Sequence, residues 1–136
     1  MQAVIATLCD EVHVRDNGLM DIVGAGHESV GVTGLPWEGV LPFALMLQFE
    51  ATDDRTDLGL GVRVVRASDG ARVGGVEGGV TTYQRTAELL EGAPPYIPLA
   101  LDVNVTLEAE GQHAVVVNGR NGERLAFVVF VVHLKS

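Results

Sequence analysis

The chain has 136 residues, enough for one domain spanning 1–136 that buries roughly two-thirds of the surface its unfolded form exposes. With 47% hydrophobic and 20% charged residues it belongs with folded rather than disordered proteins, and a formal charge of −9, from 18 acidic residues against 9 Lys and Arg, leaves no basic face for nucleic-acid phosphates or anionic membranes. The one cysteine, Cys9, excludes an intramolecular disulfide and a multi-cysteine zinc site.

"MQAVIATLCDEV" has neither a basic n-region nor a long apolar h-region, so a secretory signal is not expected. No apolar run is long enough for a helix to cross about 30 Å of hydrocarbon. The expected setting is therefore cytoplasmic, with no membrane and no nucleic acid as partner. Seventeen glycines beside only 5% aromatic residues point to many turns joining short strands.

In chain order, "AVIATLC" reads as a first strand, followed by "EVHVRDNGLMDIVG", a hairpin turning at Asp16-Asn17-Gly18. "GHESVGVTG" is extended but interrupted by glycine. "PFALMLQFEA" reads as a strand starting at Pro42, a residue suited to the first position of a strand. Acidic "TDDRTD" then forms a loop. "LGLGVRVVRA" places Leu58, Leu60, Val62 and Val64 on one face, and Ser68-Asp69-Gly70 turns the chain. "ARVGGVEGGVTTY" reads as strand with bulges, because four glycines weaken it. "TAELLEG" is the one expected helix, near 86–92, with Thr86 as cap and Gly92 as stop. "PLALDVNVTLEAEG" alternates Leu99, Leu101, Val103, Val105 and Leu107 with Asp102, Asn104, Thr106 and Glu108, giving one dry and one wet face. "GQHAVVVNG" and "ERLAFVVFVVHL" complete a pattern of about seven to nine short strands, which predicts an all-β antiparallel sandwich of jelly-roll or Ig-like form. A closed barrel is the alternative.

The last two strands form a hairpin whose register depends on which Asn-Gly pair turns it. A turn at Asn121-Gly122 sets Arg120 opposite Glu123, Val117 opposite Ala126 and Val115 opposite Val128, matching charge with charge and apolar with apolar. Asn118-Gly119 matches them poorly. The preferred register puts Val115, Val117, Ala126, Val128, Phe130 and Val132 on one face. The other face carries Ala114, Val116, Leu125, Phe127, Val129 and Val131 between the polar Gln112 and Asn118, and is expected to face outward. Covering four Val, Leu or Phe side chains is worth on the order of 6–12 kcal/mol, comparable to the net stability of a domain. A bare patch of that kind also invites aggregation. Two covers are available: the chain's own 86–97 segment, with Leu89, Leu90 and Tyr96 as lid, or a second subunit. Ala44 and Met46, on the second face of "PFALMLQFE", are expected to extend the same patch.

Chemistry is sparse. Cys9, Glu11 and His13 would share one side of an unbroken strand and offer metal-ligand types, but Glu11 and His13 read as solvated positions near a strand end. Asp53, Asp54 and Asp57 lack the spacing of a calcium loop. "GAGHESVG" is not a dinucleotide fingerprint, and Ser29 misses the nucleophile elbow because His27 occupies the first glycine position. His13, His27, His113 and His133 are scattered, and none has an identifiable acid or nucleophile partner. Trp37 reads as a loop anchor.

"LCDEV…NGLMDIVGAG", "LPFALMLQFE" and "PLALDVNVTLEAEGQHAVVV" together resemble a family of small bacterial proteins known only as a domain of unknown function. The resemblance implies a bacterial β-sandwich and brings no catalytic residues with it. The functional expectation is a non-catalytic assembly subunit without catalytic residues, cofactor or metal. It is homo-oligomeric, or paired with another protein, through Ala44, Met46, Ala114, Val116, Leu125, Phe127, Val129 and Val131. The alternative is a small-ligand module with a pocket between the sheets or under 86–97; a metal-dependent enzyme comes third.

Overall fold

The computed structural model describes residues 1–49, 59–76 and 96–135. Among them are ten strands: β1 (Gln2–Leu8), β2 (Glu11–Val14), β3 (Met20–Val23), β4 (Ser29–Val32), β5 (Trp37–Gln48), β6 (Gly61–Arg66), β7 (Arg72–Gly75), β8 (Tyr96–Leu107), β9 (Gly111–Asn118) and β10 (Arg124–Leu134). The expected helix at 86–92, the acidic loop at 53–57 and Leu58 lie outside the described residues. The architecture is all-β, as the period-two alternation predicts.

Eight strands form one sheet in the order β1-β5-β8-β7-β6-β9-β10-β4, and β2 and β3 form a separate ribbon. Every pairing is antiparallel except that of β10 with β4. The sheet curls so that β1 comes near β10, in the manner of a sandwich or half-barrel. Its concave side is the core. Phe43, Leu45 and Leu47 of β5 share one cluster with Val62 and Val64 of β6, Val115 and Val117 of β9, and Phe130 and Val132 of β10. The dry face read from β8 is there too, with Leu101, Val103, Val105 and Leu107 buried. The ribbon lies against β5 and β8.

Strand β5 begins at Trp37 rather than at Pro42. The reason is local. Pro42 pairs with Asp102 of β8, while its carbonyl accepts from the Cys9 amide on the opposite side. Its ring nitrogen therefore faces the β1 side, where the β1 ladder has already ended at the Leu8–Phe43 pair, so the absent N–H costs no ladder bond. Trp37 is accordingly a strand residue opposite Leu107, packed at the margin of the core, and not a loop anchor.

The closing hairpin has the expected register, Val117 opposite Ala126 and Val115 opposite Val128, but reaches it differently. Gly119 N–H donates to the Glu123 carbonyl and Gly122 N–H to the Gly119 carbonyl. The loop thus has three residues, Arg120, Asn121 and Gly122, with Gly122 at φ +82° as such loops require. An irregularity between Arg124 and Ala126 then shifts the ladder by one residue and restores the pairing. On the core face of the hairpin His113 is fully buried, stacked on Phe130 at 5.6 Å between ring centroids. Its Nδ1 meets the Gly111 carbonyl at 2.9 Å, and Nε2 has no hydrogen-bond partner among the described residues.

Candidate functional site

Two regions combine exposure with unusual chemistry. The first is the convex face of β9 and β10. Alternation along β10 turns Phe130 and Val132 into the core and Phe127, Val129 and Val131 outward. These three remain 49%, 46% and 40% exposed. Beside them in register on β9 lie Val116, Ala114 and Gln112. Ala114 and Val116 are buried, set between Val65 and Arg63 of β6 on one side and Val129 and Phe127 of β10 on the other. Leu125 is half-buried at the ladder irregularity, and the Arg124 guanidinium sits 4.7 Å from the Phe127 ring centroid. The outward row is therefore apolar from Phe127 to Val131 and free of acidic groups along β9–β10 from Gln112 to Asn118 and from Arg124 to Val131.

Ala44 and Met46 do not join this row. Three strands, β8, β7 and β6, lie between β5 and β9, and Ala44 is fully buried on a strand that the β2–β3 ribbon packs against. The apolar second face of β5 is thus accounted for at Ala44 within the chain itself. Tyr96, expected as part of a lid, is the exposed first residue of β8.

The second region lies where the sheet fails to close. β1 and β4 are the two ends of the strand order, and curling brings β1 near β10, the strand that β4 pairs with. After the β2–β3 ribbon the chain returns to the end of β1: Asp10 N–H donates to the Val23 carbonyl, and the amides of Gly26 and His27 both donate to the Leu8 carbonyl. Gly26 N–H also bonds Thr7 Oγ1 at 2.8 Å. This return sets His27 Nε2 2.7 Å from Asp10 Oδ1. The expectation that His27 lacks an acidic partner is overturned; its partner stands seventeen residues earlier, too far for any local spacing to reveal. A pocket of about 330 Å³ opens here, its lining including Asp10, His27, Ser29, Lys135, Leu41 and Pro42.

Cys9 lies at the same pocket but apart from the groups once aligned with it. The chain bends after β1, so Cys9 is buried beyond its end while Glu11 and His13 are exposed on β2, opposite Val23 and Asp21. The Cys9 Sγ faces the Pro42 carbonyl at 3.7 Å. Burial pushes its thiol up from the ordinary value and the adjacent Asp10 carboxylate adds to the effect, against a hydrogen bond from the Ala44 backbone. The group stays a thiol at neutral pH, the less nucleophilic form. Among the described residues no three His, Cys, Asp or Glu side chains converge as metal ligands.

A curled, mostly antiparallel sheet with a docked two-stranded ribbon and an open seam defines the class of protein. Residues 4–132 match the model of a family of unknown function, DUF6941, and the chain belongs to that family. No curated protein and no solved structure matches it.

Proposed function

We propose that the protein is a non-catalytic interaction subunit that self-associates through the convex face of β9 and β10, centred on Phe127, Val129 and Val131. The observation that carries this reading is the exposed apolar row on β10. A second copy is the fitting partner because a two-fold contact needs a surface complementary to itself. An apolar row without acidic groups meets that need, whereas a chain with charge −9 repels its own copy over its acidic surface. A cytoplasmic setting accords with a single free cysteine.

The magnitude is smaller than the sequence implies. About half of each of the three side chains is already covered, so burying the rest is worth roughly 2–4 kcal/mol. Association alone costs at least about 4 kcal/mol in lost freedom. The row is therefore the centre of a contact that must approach the usual area of about 800 Å² per partner, and the assembly is weak. Light scattering from about 1 to about 200 μM, a range suited to micromolar affinity, should show mass rising with concentration. Val129→Glu, at an exposed position, should hold the protein at monomer mass with an unchanged denaturation midpoint. A wild-type chain that stays monomeric across the range overturns the reading, as does unaltered assembly in the folded variant.

A further inference from the structure

The seam between β1 and β4 has the composition of a ligand site and plays no part in the self-association face. Its volume of about 330 Å³ suits a small organic molecule. Its lining combines Leu41 and Pro42 of β5 with polar residues from different elements, Asp10, His27, Ser29 and Lys135. Asp10 is already engaged with His27, which fixes both side chains. Lys135 is not so engaged: among the described residues no carboxylate lies within ion-pair distance of its ammonium.

The Lys135 position is built. Its backbone amide donates to the Val32 carbonyl at 2.8 Å, which anchors the residue beside β4. Its aliphatic stem occupies the space above Gly31, where an added Cβ would fall 2.6 Å from Cε and 3.0 Å from Cγ. Glycine at 31 therefore leaves room for the lysine to lie across the pocket wall, with Ser29 one position away on the same face of β4. The pocket lining thus combines a cation that has no carboxylate partner among the described residues with a hydroxyl and hydrocarbon.

We propose that this pocket binds a small organic carboxylate, its anionic head held by Lys135 and Ser29 and its apolar body laid against Leu41 and Pro42. The thiol form of Cys9 fits a site that holds its ligand without forming a bond to it. The ligand lies between the end of β1 and β4, so occupancy links the two.

The test is a nuclear magnetic resonance titration of the full ¹⁵N-labelled chain with sodium benzoate, sodium acetate, inorganic phosphate and benzyl alcohol. Saturable shifts at the amides of Ser29, Gly31 and Lys135 are expected with benzoate at millimolar concentration. Acetate should bind more weakly, and benzyl alcohol should give no saturation. Lys135→Gln, an exposed change that leaves the rest of the spectrum in place, should weaken benzoate at least about tenfold, the worth of one charge-assisted bond. Gly31→Ala should weaken it as well by displacing the lysine stem. Benzoate shifts that remain linear to about 50 mM, where no affinity worth the name is left, would overturn the proposal. So would equal binding of benzyl alcohol, binding of phosphate in place of benzoate, or unchanged benzoate affinity in Lys135→Gln.

Discussion

Asp69 holds three hydrogen bonds at once. Its two oxygens accept from Arg66 Nε at 3.0 Å and Nη2 at 2.7 Å, and Oδ1 also accepts from the Ala71 amide at 3.0 Å. The guanidinium, with the backbone donor behind it, brings its carboxyl down from the ordinary 3.8 to about 2. A carboxylate lowered in the folded state contributes stability that is complete above the ordinary value and is lost as pH falls through about 2. A carbon-detected titration should therefore find the Asp69 midpoint near 2, and Arg66→Gln should raise it toward 3.8. A midpoint that stays put in the variant would show that the backbone donor alone is responsible. The turn itself was legible, since Ser68-Asp69-Gly70 is turn chemistry. The Arg66 partner was not, because it depends on where the β6 strand ends. The same holds more strongly for Asp10 and His27, which meet only because an entire ribbon folds back onto the end of β1.

Strands were readable wherever alternation was clean, as in β8, or turn residues were explicit, as in the β2–β3 hairpin. Boundaries were lost where pairing with a neighbour decided them. Pro42 looked like a strand start because its missing donor is costly in a central strand, yet the end of β1 removes that cost. The C-terminal register was recovered from charge and apolar matching, while the loop length was not, because an irregularity near Leu125 compensates for the extra loop residue. The second face of β9 shows why outward apolar residues are a poor guide by themselves: Ala114 and Val116 are buried between larger neighbours, and only the β10 row stays open. Among the described residues the thinnest junction in the sheet is that of β7 with β8, where Gly74 pairs with Val105 and Gly75 with Asn104. A Cβ at Gly74 would run into the Asn104 carbonyl oxygen, and backbone does not yield as a flexible side chain does. Gly74→Ala should therefore cost about 1–3 kcal/mol in chemical denaturation, in the range of core overpacking. It should also speed amide exchange at Asn104 and Val105. A variant as stable as the wild type would show that the junction flexes without penalty.

At the scale of the molecule, fold class and hairpin followed from residue pattern, but the curl of the sheet and its seam did not, because both depend on which strands end up at the edges. The surface charge makes a further demand on assembly. Copies of a chain with charge −9 repel one another, and salt screens that repulsion while leaving apolar contact intact. Sedimentation should therefore show association strengthening from about 50 to about 500 mM sodium chloride, as the screening length contracts; weakening instead would place ion pairs, not the Phe127 row, at the centre of the contact. The order of strands also governs how the chain acquires its form during synthesis. β5 cannot complete its second ladder until Tyr96 to Leu107 have left the ribosome, and Ser29 on β4 must wait for Val131. Before then the nascent chain can form only the earlier pairings, such as β2 with β3 and β1 with β5, and β5 holds one edge without its partner. Such a topology folds late and slowly, so apolar surface on the emerging polypeptide stays uncovered for longer than in a chain of local contacts.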